Sequence, residues 1–360
     1  MRKRGPQDDD RPRLLLLSMY PLDGGLWGAT TRITQLRDAL SRRVDLDVVS
    51  GIPAGRAGEM ARYVAGGRLR GLAGIYVENA TSLPRVADLA FLATARAGGI
   101  PVLTYLRDAQ QLFPEYYPAT SLKRRASRAL FLPATRALIR VSTTVAFPSR
   151  GLAAAILGSE RRARLAHLLP PGARMADAPA VDPTARRLLF VGSLRYPAHG
   201  GAILREALEK VRARGIDTTL MCVSRPGEES TEPLPAWMRV IRAEGSQIDA
   251  LLPDVLASIT PRRRTPYNDL AVPIKVMEYL GYARPIIATD ATETAAIVRG
   301  ADCGVVVPDS ADGLADGIVA VASSPASQIK RWGEAARSAA AANSWDSRAG
   351  AILELLGITR

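Results

Sequence analysis

The amino-acid sequence predicts an α/β protein made of two successive doubly wound domains. Its 360 residues exceed one ordinary α/β core and suit two cores of about 150–180 residues each. An apolar strand followed by a glycine-rich turn and a helix occurs near the N-terminus and again after residue 185. Between them, residues 169–184 are rich in Pro, Gly and Ala, which is typical of a linker.

The first half begins with a strand, a glycine turn, a helix and a second strand. These are predicted at Arg13–Ser18, 23–28, 29–43 and 46–50. This order indicates a βαβ unit with a parallel sheet. Further elements are predicted as strands at 74–77, 101–105 and 143–147, and as helices at 85–97, 122–139 and 150–157.

The same pattern restarts in the second half. Residues 187–192 form an apolar strand that ends in glycine, followed by a helix at 202–214 and a strand at 218–223. Later elements are predicted as strands at 240–241, 257–261, 285–289 and 304–307, and as helices at 274–282, 313–322 and 347–356. The predicted organisation is a disordered leader (1–10), an N-terminal domain (11–168), a linker (169–184), a C-terminal domain (185–342) and a final segment (343–360) whose helix packs back towards the N-terminal domain.

Composition excludes several classes of protein. With 47% apolar residues the chain is globular. Cys222 and Cys303 are its only cysteines, so neither a disulfide framework nor a zinc site is expected. No apolar run approaches the ~20 residues that span a bilayer, and we expect a cytoplasmic protein. We find no Asp-x-Asp motif at the end of a strand that would indicate a bound metal. The run Asp8–Asp10 belongs to the leader.

The net charge of +13 lies entirely in the first half. Residues 1–180 hold 27 Lys and Arg against 14 Asp and Glu, whereas 181–360 hold 21 of each. This asymmetry predicts an anionic partner for one domain. Nucleic acid is disfavoured, because no helix-turn-helix, zinc or RNP-like motif accompanies the charge.

A basic amphipathic segment over 122–139 contributes to this excess. Its cations alternate with leucines, and Pro133 is expected to divide it into two short helices. One interpretation is a solvated helix face, and the other is contact with an anionic membrane surface, where each cation contributes ~1 kcal/mol. The residues predicted to face the membrane are Lys123, Arg124, Arg125 and Arg128.

Two glycine turns are candidates for binding anions. In the first half, Gly24, Gly25 and Gly28 would let an acceptor or phosphate approach a helix N-terminus. They do not match G-x-G-x-x-G, and the following strand has no acidic residue at its end, which disfavours a nicotinamide cofactor. A purely structural turn is the alternative.

The second turn runs from Gly192 to Gly201, at the place where a doubly wound sheet binds anions. Ser193 supplies a hydroxyl and Arg195 a fixed positive charge, both suited to a pyrophosphate. His199 is a weaker candidate for the same ligand. The other histidine, His167, is expected to lie in an apolar, structural setting.

A third region combines a cation and a carboxylate. Pro273 suits a helix N-terminus, and Lys275 and Glu278 then fall three apart on one helical face. Lys275 would hold a phosphate, and Glu278 would accept hydrogen bonds from both hydroxyls of a ribose. The alternative is an ordinary ion pair on a surface helix.

Here the chain resembles a family 4 retaining glycosyltransferase of the GT-B fold, along nearly its whole length. The segments that carry the resemblance are Pro273–Leu280 followed by Pro285–Thr289, Asp302–Val307, Ser344-Trp345, Pro170-Pro171-Gly172 and Pro101–Thr104. The resemblance implies two Rossmann-like domains facing across a cleft. It also implies that Glu278 binds the ribose of a nucleotide sugar, that Arg195 and Lys275 face its diphosphate, and that Gly25 approaches the donor phosphates or the acceptor.

Several positions depart from the family pattern. Leu270 replaces the first of two glutamates, and the neighbouring Asp269 would have to substitute for it. Ser193 and His199 replace the Arg and Lys of the phosphate loop. In the first domain the His that often precedes Asp is replaced, giving Arg107-Asp108, which are expected on the acceptor or phosphate side.

The expected activity is transfer of a sugar from a UDP- or GDP-linked donor to a glycan or a lipid-linked acceptor of the cell envelope. It would need no cofactor and no metal, and would proceed with retention. Arg195, Lys275 and Glu278 are the predicted catalytic residues, with Gly192, Ser193, His199, Asp269 and Pro273 binding the donor. A catalytically retired scaffold is the alternative. A nucleotide-sugar epimerase is disfavoured by the presence of only two histidines.

Overall fold

A computed structural model of the protein describes residues 11–22, 28–79, 82–228 and 233–358. The chain divides into two compact units. The first comprises Met1–Gly172 together with Trp345–Arg360, and the second comprises Ala173–Ser344.

The first unit contains a six-stranded parallel sheet. Its strand order is β2-β1-β3-β4-β5-β6. The strands are β1 (Arg13–Ser18), β2 (Asp45–Val49), β3 (Leu72–Asn79), β4 (Val102–Leu106), β5 (Thr144–Phe147) and β6 (His167–Leu168). The order reverses direction between β1 and β3, and in such sheets ligands bind beyond the carboxyl ends of the strands at this switch point.

The second unit contains another six-stranded parallel sheet, with the order β12-β11-β10-β7-β8-β9. Its strands are β7 (Arg187–Val191), β8 (Thr219–Val223), β9 (Met238–Ile241), β10 (Val255–Thr260), β11 (Ile286–Thr289) and β12 (Gly304–Val307). Counted within the unit, this is the 3-2-1-4-5-6 order of dinucleotide-binding sheets. Its switch point lies between β7 and β10.

Helices flank both sheets. In chain order they are α1 (Gly28–Ser41), α2 (Pro53–Ala65), α3 (Val86–Ala97), α4 (Leu122–Val141), α5 (Arg150–Leu157), α6 (Glu160–Arg164), α7 (Gly201–Ala213), α8 (Ile274–Gly281), α9 (Thr292–Gly300), α10 (Ala311–Ala322), α11 (Ala326–Ala342) and α12 (Trp345–Leu355). The first six and α12 belong to the first unit, and α7–α11 to the second.

The core of the first unit is built on β1. Leu14–Leu17 are all buried, as expected for a strand that is covered on both faces. Ile33 of α1 and Ile352 of α12 pack in one cluster with Leu14 and Leu16. The last helix of the chain is therefore part of this core.

In the second unit, α7 and α10 pack in one core cluster and α8 and α11 in another. The fully buried Arg284 ties the unit together. Its guanidinium donates to the carbonyls of Leu252 at 2.8 Å, Val255 at 3.0 Å and Pro179 at 3.0 Å. No carboxylate lies among these partners, and burial lowers the pKa of Arg284 to about 10.

Two predictions are wrong, and four helices were missed. Pro133 lies inside the continuous helix α4, because Phe131 and Leu138 on either side of it are both buried. His167 is exposed on the short strand β6, so its setting is not apolar. Helices α2, α6, α9 and α11 were not predicted. In α2, two glycines and an initial proline conceal the helical pattern.

Candidate functional site

In the second unit, the loop after β7 is tied to the end of β8. The Gly192 N–H donates to the carbonyl of Val223 at 2.9 Å, and the Ser224 hydroxyl donates to the carbonyl of Gly192 at 2.6 Å. These bonds fix the chain at the switch point between β7 and β10. Gly192 has φ +153°, a conformation that favours glycine.

Ser193 organises this loop from within. Its side chain is fully buried, and its hydroxyl accepts from the N–H groups of Arg195 at 3.1 Å and Tyr196 at 3.3 Å. The same hydroxyl donates to the carbonyl of Glu228 at 3.2 Å. Ser193 therefore shapes the loop, whereas the sequence predicted that it would contact the donor directly.

The loop closes against the segment that follows β10. A short turn at Pro197–His199 ends at Gly200, with φ +78°. A Cβ atom on Gly200 would lie 1.7 Å from the carbonyl oxygen of Pro261, so no other residue fits. The Arg263 N–H donates to the carbonyl of Ala198 at 3.3 Å.

Lys275 is the second residue of α8, whose N-cap is Pro273. Its side chain is partly buried, and its ammonium lies 5.1 Å from the centre of the Phe190 ring. The ammonium also rests against Gly192, where a Cβ atom would come within 2.8 Å of it. In the part of the chain that the structure describes, Lys275 has no hydrogen-bonding or ion-pair partner.

Burial changes the protonation of this lysine. Desolvation and the repulsion of Arg262 lower the pKa of Lys275 to about 7, while Glu228 and Glu278 oppose the shift. Proton loss near neutral pH follows, unless an anion binds beside the ammonium.

Glu278 lies one helical turn after Lys275, with its side chain partly buried. Burial raises the pKa of the Glu278 carboxyl, against the attraction of Arg174, Arg225 and Lys275. No direct ion pair joins Lys275 and Glu278 among the described residues, so the surface ion-pair interpretation fails. The Lys275 ammonium and the Glu278 carboxyl therefore lie near each other, and both can still form hydrogen bonds with a ligand.

His199 stands beside these charges. Burial, together with Lys275 and Arg262, lowers the pKa of His199 to about 3, so its imidazole is neutral. Its Nδ1 atom is buried and makes no hydrogen bond within the described chain. The ring packs edge-on against Tyr196 at 5.7 Å. The structure thus brings His199 close enough to Lys275 for its charge to act on the imidazole.

Tyr279 holds α8 against the sheet. The N–H of Val191, at the end of β7, donates to its hydroxyl at 2.8 Å, and the hydroxyl donates to the carbonyl of Ile259 in β10 at 3.3 Å. The side chain is fully buried. One phenol thus joins the two strands of the switch point to the helix that carries Lys275 and Glu278.

Two other predicted residues lie elsewhere. Asp269 accepts from Arg264 at 3.0 Å and from the N–H of Thr292, the first residue of α9, at 2.9 Å. These bonds lower the pKa of Asp269 although burial raises it, so the residue caps a helix and cannot readily replace a ribose-binding glutamate. Arg195 is exposed and donates to the carbonyl of Gly227 at 3.4 Å.

In the first unit, Arg107 and Asp108 follow β4. Asp108 is buried and accepts from its neighbour, the N–H of Ala109, at 2.7 Å. Arg107 is partly buried, with its guanidinium 5.9 Å from the centre of the Tyr20 ring. Gly24 and Gly25 lie outside the described residues. The predicted membrane-facing residues Lys123, Arg124 and Arg125 are exposed on α4, and Arg128 is half-buried.

Sequence reasoning missed three arginines around Lys275 and Glu278. Arg262 follows β10 and Arg225 follows β8, so each stands at the carboxyl end of a parallel strand. That position was the available signal. Arg174 gave none, because it lies in the segment interpreted as a linker; it forms an ion pair with Asp249.

Several solved structures have the same fold as this chain. Sucrose-phosphate synthase from Thermosynechococcus elongatus aligns with a TM-score of 0.64 at 14% identity, covering 96% of this chain and 98% of that one. HepE from Anabaena, solved with UDP and glucose, gives 0.63 at 16% identity over 96% and 99%. The α,α-trehalose-phosphate synthase (UDP-forming) from Burkholderia xenovorans, solved with glucose-6-phosphate, gives 0.59 at 11% identity over 96% and 100%.

The chain therefore has the GT-B fold, as predicted. Residues 185–324, in the second unit, match the family Glycosyl transferases group 1. No curated protein matches the chain by sequence.

Metal-ligating clusters and membrane-spanning helices are both absent from the described residues. No group of three or more His, Cys, Asp and Glu side chains is placed to hold a metal ion. No helix among these residues has the length and apolar character needed to cross a bilayer.

Proposed function

We propose that the protein transfers a sugar, with retention and without a metal, from a UDP- or GDP-linked donor to a glycan or a lipid-linked acceptor of the cell envelope. The observation that carries the proposal is the pair Lys275 and Glu278 at the switch point of the second sheet. Both side chains are partly buried, and neither has a hydrogen-bonding partner among the described residues.

Each group has a role that fits its chemistry. The Lys275 ammonium, two residues into α8, would hold the diphosphate together with the positive end of the helix dipole. Glu278 would accept from the ribose hydroxyls. As the bond between sugar and diphosphate breaks, negative charge develops on the leaving oxygen, and a fixed cation stabilises it.

Retention without a protein nucleophile requires the acceptor to attack from the face that the diphosphate leaves. The departing phosphate oxygen would then take the acceptor's proton, while the acceptor oxygen bonds to the anomeric carbon. Nuclear magnetic resonance of the first product formed would report the anomeric configuration. An inverted product would refute this step without refuting donor binding.

The donor is tested by calorimetry of the purified full chain against UDP-, GDP- and ADP-sugars. UDP-glucose comes first, because the similar HepE structure holds UDP and glucose. We expect Glu278→Gln to weaken binding at least tenfold, which corresponds to about 1.4 kcal/mol. Glu209→Gln, an exposed carboxylate on α7, is the matched control. Equal affinities for the two variants would refute the site, and binding of no nucleotide sugar would refute the function.

A catalytically retired scaffold remains the second candidate, because Asp269 is engaged in capping α9 and Leu270 occupies the place of the first glutamate. Release of free nucleotide separates the two. A retired scaffold would bind a nucleotide sugar without releasing nucleotide in the presence of any acceptor or of water.

We further propose that α4 contacts an anionic membrane. The helix contains six Lys and Arg and no carboxylate. Its apolar residues Leu122 and Leu130 are 82% and 54% exposed, beside the exposed cations Lys123, Arg124 and Arg125. Cations around exposed leucines are typical of helices that lie on lipid headgroups.

Sedimentation with vesicles containing phosphatidylserine tests this contact. Replacing Lys123, Arg124 and Arg125 with Gln should reduce the bound fraction, and high salt should do the same. The matched control replaces the exposed Arg161, Arg162 and Arg164 of α6. Equal binding by both triple variants, or no binding by the unmodified protein, would refute the proposal.

A further inference from the structure

Asn268 joins the two loops of the second unit that carry Arg262 and His199. Its side chain is only 1% exposed. The amide nitrogen donates to the carbonyl of Arg263 at 2.7 Å, within the segment that follows β10. It also donates to the carbonyl of Ala198 at 3.4 Å, in the turn that follows β7. One buried amide thus connects segments that lie 70 residues apart in the sequence.

The backbone around Asn268 is itself fixed by several hydrogen bonds. The Asn268 N–H donates to the hydroxyl of Thr265 at 3.0 Å, and the Asp269 N–H donates to the carbonyl of Thr265 at 3.0 Å. A neighbouring strand end also holds the segment, because the Arg264 N–H donates to the carboxylate of Asp309, after β12, at 2.8 Å. The amide of Asn268 therefore projects from a firmly anchored turn.

The two joined loops carry groups that interact with the Lys275 ammonium. Arg262 belongs to the segment after β10, and its positive charge repels Lys275. His199 belongs to the turn after β7, and the charges of Lys275 and Arg262 both act on its imidazole. Glu228 and Glu278 attract the ammonium and oppose the repulsion. Because the energy between charges falls as they move apart, these effects depend on how the two loops are held.

From these contacts we infer that Asn268 is a positioning residue, whose amide holds the segment after β10 against the turn after β7. Arg262 and His199 therefore stay beside the Lys275 ammonium. Without the amide, the carbonyl of Arg263 loses a buried hydrogen bond and the two loops separate. In this role Asn268 acts through other side chains and does not contact the ligand. That the site receives a nucleotide sugar rests on the proposed function, whereas the positioning by Asn268 does not.

Titration of Lys275 in the full chain tests this role without any nucleotide sugar. The chain has five lysines, so nuclear magnetic resonance of protein labelled with ¹³C at the lysine ε carbon can follow each ammonium, and Lys275→Met identifies the signal of Lys275. Asn268→Leu keeps a side chain of similar size but removes both donated bonds. We expect it to raise the midpoint of the Lys275 titration from about 7 by about one pH unit, because the repulsion from Arg262 weakens.

Three further variants separate positioning from general loss of stability. Asn268→Gln keeps an amide donor and should give a midpoint between those of the unmodified protein and Asn268→Leu. Thr265→Val removes the hydroxyl that accepts from the Asn268 N–H and should shift the midpoint in the same direction by less. Because Thr265 is partly exposed, this variant tests the role even if Asn268→Leu does not fold. Ile329→Val is the matched control, since it weakens core packing in the same unit and should leave the midpoint unchanged.

The outcomes distinguish this inference from the proposed function. Equal midpoints for Asn268→Leu and Ile329→Val would overturn the positioning role, and so would a lower midpoint in Asn268→Leu. If Asn268→Leu does not fold, an unchanged midpoint in Thr265→Val would overturn it. A raised midpoint in a protein that binds no nucleotide sugar would support the role of Asn268 and refute the proposed function. Nucleotide-sugar binding together with equal midpoints would do the reverse.

Discussion

When a nucleotide sugar binds at pH 8, we expect the protein to take up close to one proton from solution. Lys275 is the group that becomes protonated. The free protein holds this lysine with a pKa of about 7, because burial and Arg262 outweigh the attraction of Glu228 and Glu278. A diphosphate beside the ammonium favours the charged form and raises its pKa. The complex therefore binds more protons than the free protein between the two pKa values.

The size of the effect follows from that pKa. At pH 8 a group with a pKa of about 7 is about one-tenth protonated, so full protonation in the complex takes up about 0.9 proton. By the same linkage, the dissociation constant should be about tenfold larger at pH 8 than at pH 6. His199 does not contribute at pH 8, since its pKa is about 3 in the free protein and 6.5 in the absence of perturbation.

Calorimetry in buffers of different ionisation enthalpy measures the uptake directly. The observed binding enthalpy should vary linearly with the buffer's ionisation enthalpy at pH 8, with a slope near one proton. Lys275→Met should abolish the slope, whereas Lys330→Met, on the exposed side of α11, should retain it. A zero slope for the unmodified protein, or an unchanged slope in Lys275→Met, would refute the reasoning.

Three further changes test how the second unit supports this lysine. Gly192→Ala places a Cβ 2.8 Å from the Lys275 ammonium and should weaken donor binding at least tenfold. Gly215→Ala is the control, because at φ +79° it introduces backbone strain but its added Cβ contacts no other atom. Tyr279→Phe leaves a buried strand N–H unpaired and should cost about 1–3 kcal/mol, or roughly 2–12 °C in Tm, more than Tyr282→Phe does; equal losses would contradict the bridging role. Arg284→Met leaves several buried carbonyls unpaired and should cost roughly 3 kcal/mol or more by urea unfolding; a loss under 1 kcal/mol would show that the carbonyls find other partners.

The sequence predicted the two sheets and the helix of the candidate site well, because continuous apolar runs and glycine turns define them locally. Leu14–Leu17 of β1 and Leu188, Leu189 and Phe190 of β7 are buried and leave an unambiguous pattern. Lys275 and Glu278 could be placed on one helical face by their spacing. The local sequence, however, could not show that the Tyr279 hydroxyl joins α8 to two strands of the sheet.

What the sequence could not provide depends on contacts between distant segments. Asp269 lies beside Leu270 in the sequence, yet its carboxylate caps α9 more than 20 residues later. Arg32 and Glu78 are 46 residues apart and meet only because α1 crosses the end of β3. Pro133 was expected to break a helix, but burial on both sides of it outweighs the lost hydrogen bond.

The path of the chain between the two units bears on how the protein is made. The core of the first unit is incomplete until α12 (Trp345–Leu355) has emerged from the ribosome. The second unit, Ala173–Ser344, is a single continuous segment of the chain. Domains fold largely as they are synthesised, usually the N-terminal one first. Here the order is reversed: the second unit can finish folding while the first waits with the inner faces of β1 and α1 uncovered. The longest-lived aggregation-prone intermediate should therefore be the N-terminal half of the nascent chain, the part that a chaperone would have to protect.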